Sequence, residues 1–134
     1  MTIAPDEIDV PSVRGEIEAV AMAYERALLA GDVATLDAMF WDDRRALRFG
    51  IADIQHGIDE VRAFRAKLPL QSRPRDISRL EVHTFGNDCA VVNIEFLYRD
   101  GPGGGRQSQT WVRVAPGQYG GWRVVSAHVD LTRS

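Results

Sequence analysis

The chain has 134 residues, of which 45% are hydrophobic and 26% charged, and a formal net charge of −3. That length and balance supply one ordinary domain with a sizeable core. The acidic charge, with no basic stripe along the chain, argues against a nucleic-acid partner.

Met1 to Pro11 is acidic, carries Pro5 and Pro11, and is unlike a secretion signal. We read 1–11 as an N-terminal tail and 12–134 as a single domain. No apolar run reaches the roughly 18 residues of a membrane span, so no membrane partner and a cytoplasmic location are expected. Ser12 is the expected N-cap of a helix running to Ala30. Val13, Ile17, Val20, Ala21, Tyr24 and Leu28 recur at helical spacing, with Arg14, Glu18, Glu25 and Arg26 off that stripe. Tyr24 therefore faces the core, where its hydroxyl wants either polar company in a wet cavity or a backbone carbonyl. Gly31 suits the end of this helix, and Asp32 suits the cap of the next, Val33 to Phe40. Arg45 to Gly50 reads as a short strand with Leu47 and Phe49 on one face, Ala46 and Arg48 on the other. Arg48 there either faces solvent or is buried against a carboxylate, from protein or ligand. Ile51 to His56 suits a second short strand. Ile58 to Leu68 reads as a third helix, with Asp59 and Glu60 at its start, Arg62, Arg65 and Lys67 toward its end, and Pro69 as its stop.

The remainder is β. Arg73, Arg75 and Arg79 form a local cluster suited to a small anion or to solvated strand ends. Ile77 to Phe85 alternates Ile77, Arg79, Glu81 and His83 against Ser78, Leu80, Val82 and Thr84. Cys89 to Arg99 sets Val92, Ile94, Phe96 and Tyr98 against Val91, Asn93, Glu95 and Leu97. The one cysteine, Cys89, excludes an intrachain disulfide and reads as a small buried hydrophobe. Asp100 to Gly105 reads as a flexible hairpin tip. On the next strand Gln107, Gln109, Trp111 and Arg113 share a face; on the last, Trp122, Val124, Ser126 and His128 oppose Val125, Ala127, Val129 and Leu131. The fold class is α+β, with three helices on one face of a curved, mainly antiparallel sheet. Apolar residues on both sheet faces, with helices for only one, predict a homodimer through the open face. The mouth between helices and sheet is the expected ligand site. His56, His83 and Cys89 lack metal-ligand spacing, so no metal is expected, and no Gly-x-Ser-x-Gly motif points to an acyl-enzyme.

The ending Gly121-Trp122-Arg123-Val124-Val125-Ser126-Ala127-His128-Val129 resembles the nuclear transport factor 2-like (SnoaL-like) superfamily, which implies a cone-shaped fold. Tyr24-Glu25-Arg26-Ala27-Leu28, Asp37-Ala38-Met39-Phe40-Trp41, Leu47-Arg48-Phe49-Gly50, Ile58 to Arg65 and Gly105 to Val112 together resemble the AtzH-like family, whose HpxZ branch is associated with oxalurate breakdown. Phe49 stands where the resemblance leads us to expect tyrosine. The resemblance implies a cofactor-independent decarboxylating amidohydrolase, turning 1,3-dicarboxyurea into allophanate in cyanuric acid catabolism or acting on an oxalurate-related anion. Arg48 would grip a carboxylate and Tyr24 would serve as general acid or proton relay. Trp41, Glu95, Gln109 and His128 are further candidates for holding the small anionic substrate. The alternatives are a noncatalytic dimeric anion-binding module linked to an amidase, and a cyclase or ketosteroid isomerase relative with a largely apolar pocket.

Overall fold

The computed structural model describes residues 1–68 and 72–132; the expected helix stop at Pro69 lies outside them. In chain order the elements are α1 (Pro11–Ala30), α2 (Val33–Met39), β1 (Leu47–Phe49), β2 (Ile54–His56), α3 (Ile58–Ala66), β3 (Arg75–Phe85), β4 (Cys89–Tyr98), β5 (Gly104–Arg113) and β6 (Trp122–Thr132). Helix α1 starts one residue before the expected Ser12 cap: Val10 is the capping position and Pro11 takes the first helical turn, where its fixed φ and missing N–H do no harm. Gly31, at φ 70°, ends it, and the Asp32 side chain accepts from the Thr35 N–H to cap α2.

The six strands form one sheet in the order β2-β1-β6-β5-β4-β3, antiparallel except where β1 runs parallel to β6. The three helices cover one face, burying Ile17, Met39, Phe40 and Val61 against Val82, Val92, Trp111 and Val124. That is the α+β arrangement expected from the sequence, three helices on one face of a mainly antiparallel sheet.

Two bulges change which side chains face the helices. Between β3 and β4 the register slips at Ser78, so Ile77 packs with Leu80 and Val82 rather than opposite them. Between β5 and β6 Thr110 pairs with Ser126 while Trp111 pairs with Val124, leaving Val125 as the extra residue. Past that point Ala127, not Ser126 or His128, turns into the core. An inserted residue bends the strand and inverts its alternation. Gly104 and Gly105, expected in a flexible tip, are buried strand residues. A Cβ on Gly105 would collide with the Phe96 ring, so the glycine lets that ring lie on the sheet.

Residues 1–11 include a 3-10 turn at Pro5–Glu7 and a bridge from Ile8 to Phe85. Asp9 Oδ2 lies 2.8 Å from His83 Nδ1, and Asp9 Oδ1 accepts from the Thr84 N–H at 2.8 Å. The hydrogen bond to Asp9 raises the His83 pKa above its ordinary 6.5, and those to His83 and Thr84 lower that of Asp9 below 3.8. The His83 share of stability is complete below 6.5 and lost as pH rises through the raised folded value. The Asp9 share is complete above 3.8 and lost as pH falls through the lowered one. The latch is therefore strongest between those two values. By NMR, His83 should titrate above 6.5 and return toward that value in Asp9→Asn, with faster amide exchange at Asp9 and Gly86; an unchanged His83 titration would show that the contact is idle.

Candidate active site

Between the helices and the sheet lies a cavity of about 190 Å³, smaller than the ~300–1,000 Å³ usual for drug-sized ligands. Four arginines line it, Arg48, Arg65, Arg73 and Arg75, together with Tyr24, Phe64 and Phe96. The chamber is small and mixed, its four guanidinium groups set among apolar side chains such as Leu28, Leu36, Ile51 and Phe64, and anions are what guanidinium groups select.

Tyr24, carried by α1, is 3% exposed and meets Trp111 edge-on at 5.8 Å. Arg65 Nη2 donates to the Tyr24 hydroxyl oxygen at 2.9 Å. Arginine has donors only, so the Tyr24 proton cannot point back at Arg65 and is free for another acceptor. Behind Arg65, its Nε stands 3.8 Å from Asp37 Oδ1. Burial pushes the Asp37 carboxyl up from 3.8, against the pull of Arg65 and Arg62. Arg65 Nη1 and Asp37 Oδ1 are both buried without a hydrogen bond among the described residues.

Arg48 enters from β1. Its Nη1 donates to Asp53 Oδ1 at 2.7 Å and Gln55 Oε1 at 2.8 Å, and Gln55 Nε2 donates to the same Asp53 oxygen at 2.9 Å. The guanidinium lies 4.8 Å from the centre of the Phe64 ring. A Cβ at Gly50 would strike the Asp53 carboxylate, so glycine there leaves Asp53 in place for Arg48. Asp53 is thus the carboxylate partner of a half-buried Arg48, and the Nε and Nη2 edge has no hydrogen-bond partner among the described residues.

On the opposite side, Arg75 of β3 donates from Nε to Glu25 Oε2 at 2.9 Å, and from Nη2 to Glu25 Oε1 at 2.7 Å and Gln107 Oε1 at 2.9 Å. Its guanidinium sits 4.2 Å from the Phe96 ring centre. Glu25 and Arg75 are both 6% exposed: a fork-to-fork ion pair inside the domain. Arg73 stands at the rim, 3.7 Å from the Tyr98 ring centre and bonded to Asp100 at 2.6 Å.

The AtzH-like family profile matches residues 6–134. The chain belongs to the AtzH-like family. A DUF3225-family protein of unknown function from Pectobacterium atrosepticum is 38% identical over 98% of this chain and 99% of its own, with TM-score 0.90. A cystatin-like fold protein from Burkholderia xenovorans is also 38% identical, over 96% and 98% of the two chains, with TM-score 0.88. A nuclear transport factor 2-like protein from Salmonella enterica shares the fold at 17% identity and TM-score 0.72, covering 92% and 93%. No curated protein matches.

In this AtzH-like chain the cavity brings together Tyr24 and Arg48 but not the other sequence candidates. Glu95 and His128 face the open side of the sheet, Glu95 by simple alternation and His128 because of the Val125 bulge. Phe49 packs edge-on against His128 at 5.6 Å, so the hydroxyl missing at this position is not missing from the cavity. Gln109 is buried but accepts from Trp111 Nε1 at 2.9 Å, a structural pairing beside the cavity. Trp41 lies outside it, under Arg45, its N–H bonded to the Val124 carbonyl. Sequence reasoning missed Arg65, read as a helix-end charge, and Glu25, placed off the apolar stripe. It also left Arg75 unassigned and passed over Gln107, although Gln107 shares the face of Trp111. Among the described residues no three His, Cys, Asp or Glu side chains converge as metal ligands, and no helix is long and apolar enough to cross a membrane.

Proposed function

We propose that this protein is a cofactor-independent decarboxylating amidohydrolase acting on a small N-carboxylated urea such as 1,3-dicarboxyurea, with oxalurate-related anions as the neighbouring substrate class. The observation that carries the reading is that Tyr24 and Arg48 open onto one small arginine-lined cavity, while Arg65 leaves the Tyr24 proton free to be given away. In the reaction the N–CO₂⁻ bond breaks, its electron pair passes to nitrogen, the nitrogen takes the proton from Tyr24, and carbon dioxide leaves. Tyr24 then recovers a proton from solvent. The negative charge passing onto the Tyr24 oxygen is met by the Arg65 guanidinium. Arg48 orients a carboxylate through its free edge. Because Asp53 already shares its charge, Arg48 does not over-stabilise an anion whose charge disappears as carbon dioxide forms.

The same reading puts the protein in the cytoplasm, beside an amidase that consumes the product, and pairs two copies through the open sheet face. That face is mixed: Glu95, Arg106 and His128 in its middle, with Leu97 and Leu131 exposed at 58% and 41%. A dimer would cover these leucines, and a monomer by light scattering at micromolar concentration would remove the pairing.

Carbon dioxide release from freshly generated 1,3-dicarboxyurea, corrected for spontaneous decay, tests the chemistry. Tyr24→Phe should lower turnover by about 10²–10⁴-fold with binding nearly intact, and Arg48→Ala should abolish the acceleration through lost binding. Turnover that survives Tyr24→Phe would take Tyr24 out of the chemistry. Stoichiometric binding without product, together with co-purification with an amidase, would make the protein an anion-binding accessory instead.

A further inference from the structure

The proposed chemistry leaves two donors in the cavity wall unused. Arg75 spends Nε and Nη2 on Glu25 and Gln107. Its Nη1 makes no hydrogen bond among the described residues, and Arg75 borders the cavity. Gln107 accepts from Arg75 through Oε1, which fixes the amide so that Nε2 points away from Arg75. That Nε2 also has no hydrogen-bond partner among the described residues, and Gln107 borders the cavity too.

We infer that Arg75 Nη1 and Gln107 Nε2 form a second carboxylate-binding pole, opposite Arg48, so that the cavity takes small dianions with an acidic group at each end. The inference deepens the reading of Arg48 as an anion clamp and rests on it. The strand order puts the poles apart: Arg48 stands on β1 and Arg75 on β3, with β6, β5 and β4 between them, and both side chains reach over the sheet into one chamber. The second pole is rigid before any ligand arrives. Both Glu25 oxygens hold Arg75 from one side, Gln107 fixes its Nη2, and Phe96 supports the flat of the guanidinium; donors immobilised in advance bind at little entropic cost. Glu25 cancels the charge of Arg75 in sum, so the pole acts through two aimed donors rather than through a surplus cation. It favours a carboxylate or a carbonyl oxygen at that end and offers nothing to an apolar tail.

Glutarate, which has the same main-chain length as dicarboxyurea, and pentanoate, its one-ended counterpart, probe this by calorimetric titration. The wild-type protein should bind glutarate about tenfold or more tighter than pentanoate. Gln107→Leu, which leaves the Arg75–Glu25 pair in place, and the charge-neutral double variant Glu25→Gln/Arg75→Gln, which leaves no charge stranded, should both lose that preference. Arg48→Ala should weaken both ligands. Equal affinity for the two ligands in the wild type, or a glutarate preference unchanged in both correctly folded variants, overturns the second pole. A preference that is present and lost as described, in a protein that releases no carbon dioxide, upholds the pole and removes the decarboxylase reading. Carbon dioxide release with kcat/KM unchanged in both variants does the reverse.

Discussion

A guanidinium taken out of water has to be matched, and the matching of Arg75 by Glu25 is the constraint on which the cavity depends. Glu25 comes from α1 and Arg75 from the first residue of β3, so the pair ties a helix of the cover to the far edge of the sheet. Removing one partner of such a pair costs roughly 3–5 kcal/mol, because the other charge is left buried alone. The geometry around it follows. Gly105 keeps the Phe96 ring against the sheet, Phe96 supports Arg75, and Gln107 shares its Nη2 with Glu25. The same rule holds on the other side, where Asp53 and Gln55 match Arg48 and Gly50 leaves room for the Asp53 carboxylate. Only the pairing at Arg65 is loose, with Asp37 at 3.8 Å, and Arg65 is the arginine bonded to Tyr24.

This distribution of charge suits a reaction in which an anion enters and loses its charge. A chamber of bare cations would hold a carboxylate too well to release it as neutral carbon dioxide, whereas paired arginines orient it through their remaining donors. A phenol whose oxygen already accepts from a guanidinium can give its proton in one direction only. The cavity, at about 190 Å³, is smaller than the pocket that a steroid or polyketide would need, and its arginines stand among apolar side chains.

Much of the fold was legible because its signals are local. The caps at Gly31 and Asp32, the start of α3 after Gly57, and the strands from Cys89 onward fall where turn chemistry and alternation put them. Tyr24 followed from the apolar stripe of α1. Parity failed at the two bulges, since a single extra residue, Ser78 or Val125, inverts everything beyond it. The Val125 bulge turns His128 to the open face, and Arg75 was left undecided because the strand was expected to begin only at Ile77, two residues after its observed start. The buried charges were illegible for a different reason: Glu25 and Arg75 are 50 residues apart, and each looks like a surface residue until the other is placed beside it. Five sequence blocks in order carried the family, and the family drew attention to Arg48.

The central claim is that a small anion lies in the cavity with one carboxylate on Arg48 and its scissile nitrogen beneath the Tyr24 hydroxyl. A crystal structure of the protein with glutarate bound tests it most directly. The account predicts a carboxylate hydrogen-bonded to the Nε and Nη2 edge of Arg48, with the next main-chain atom of the ligand within hydrogen-bonding reach of the Tyr24 oxygen. A ligand held on the open sheet face, or in the cavity but away from both side chains, would contradict it.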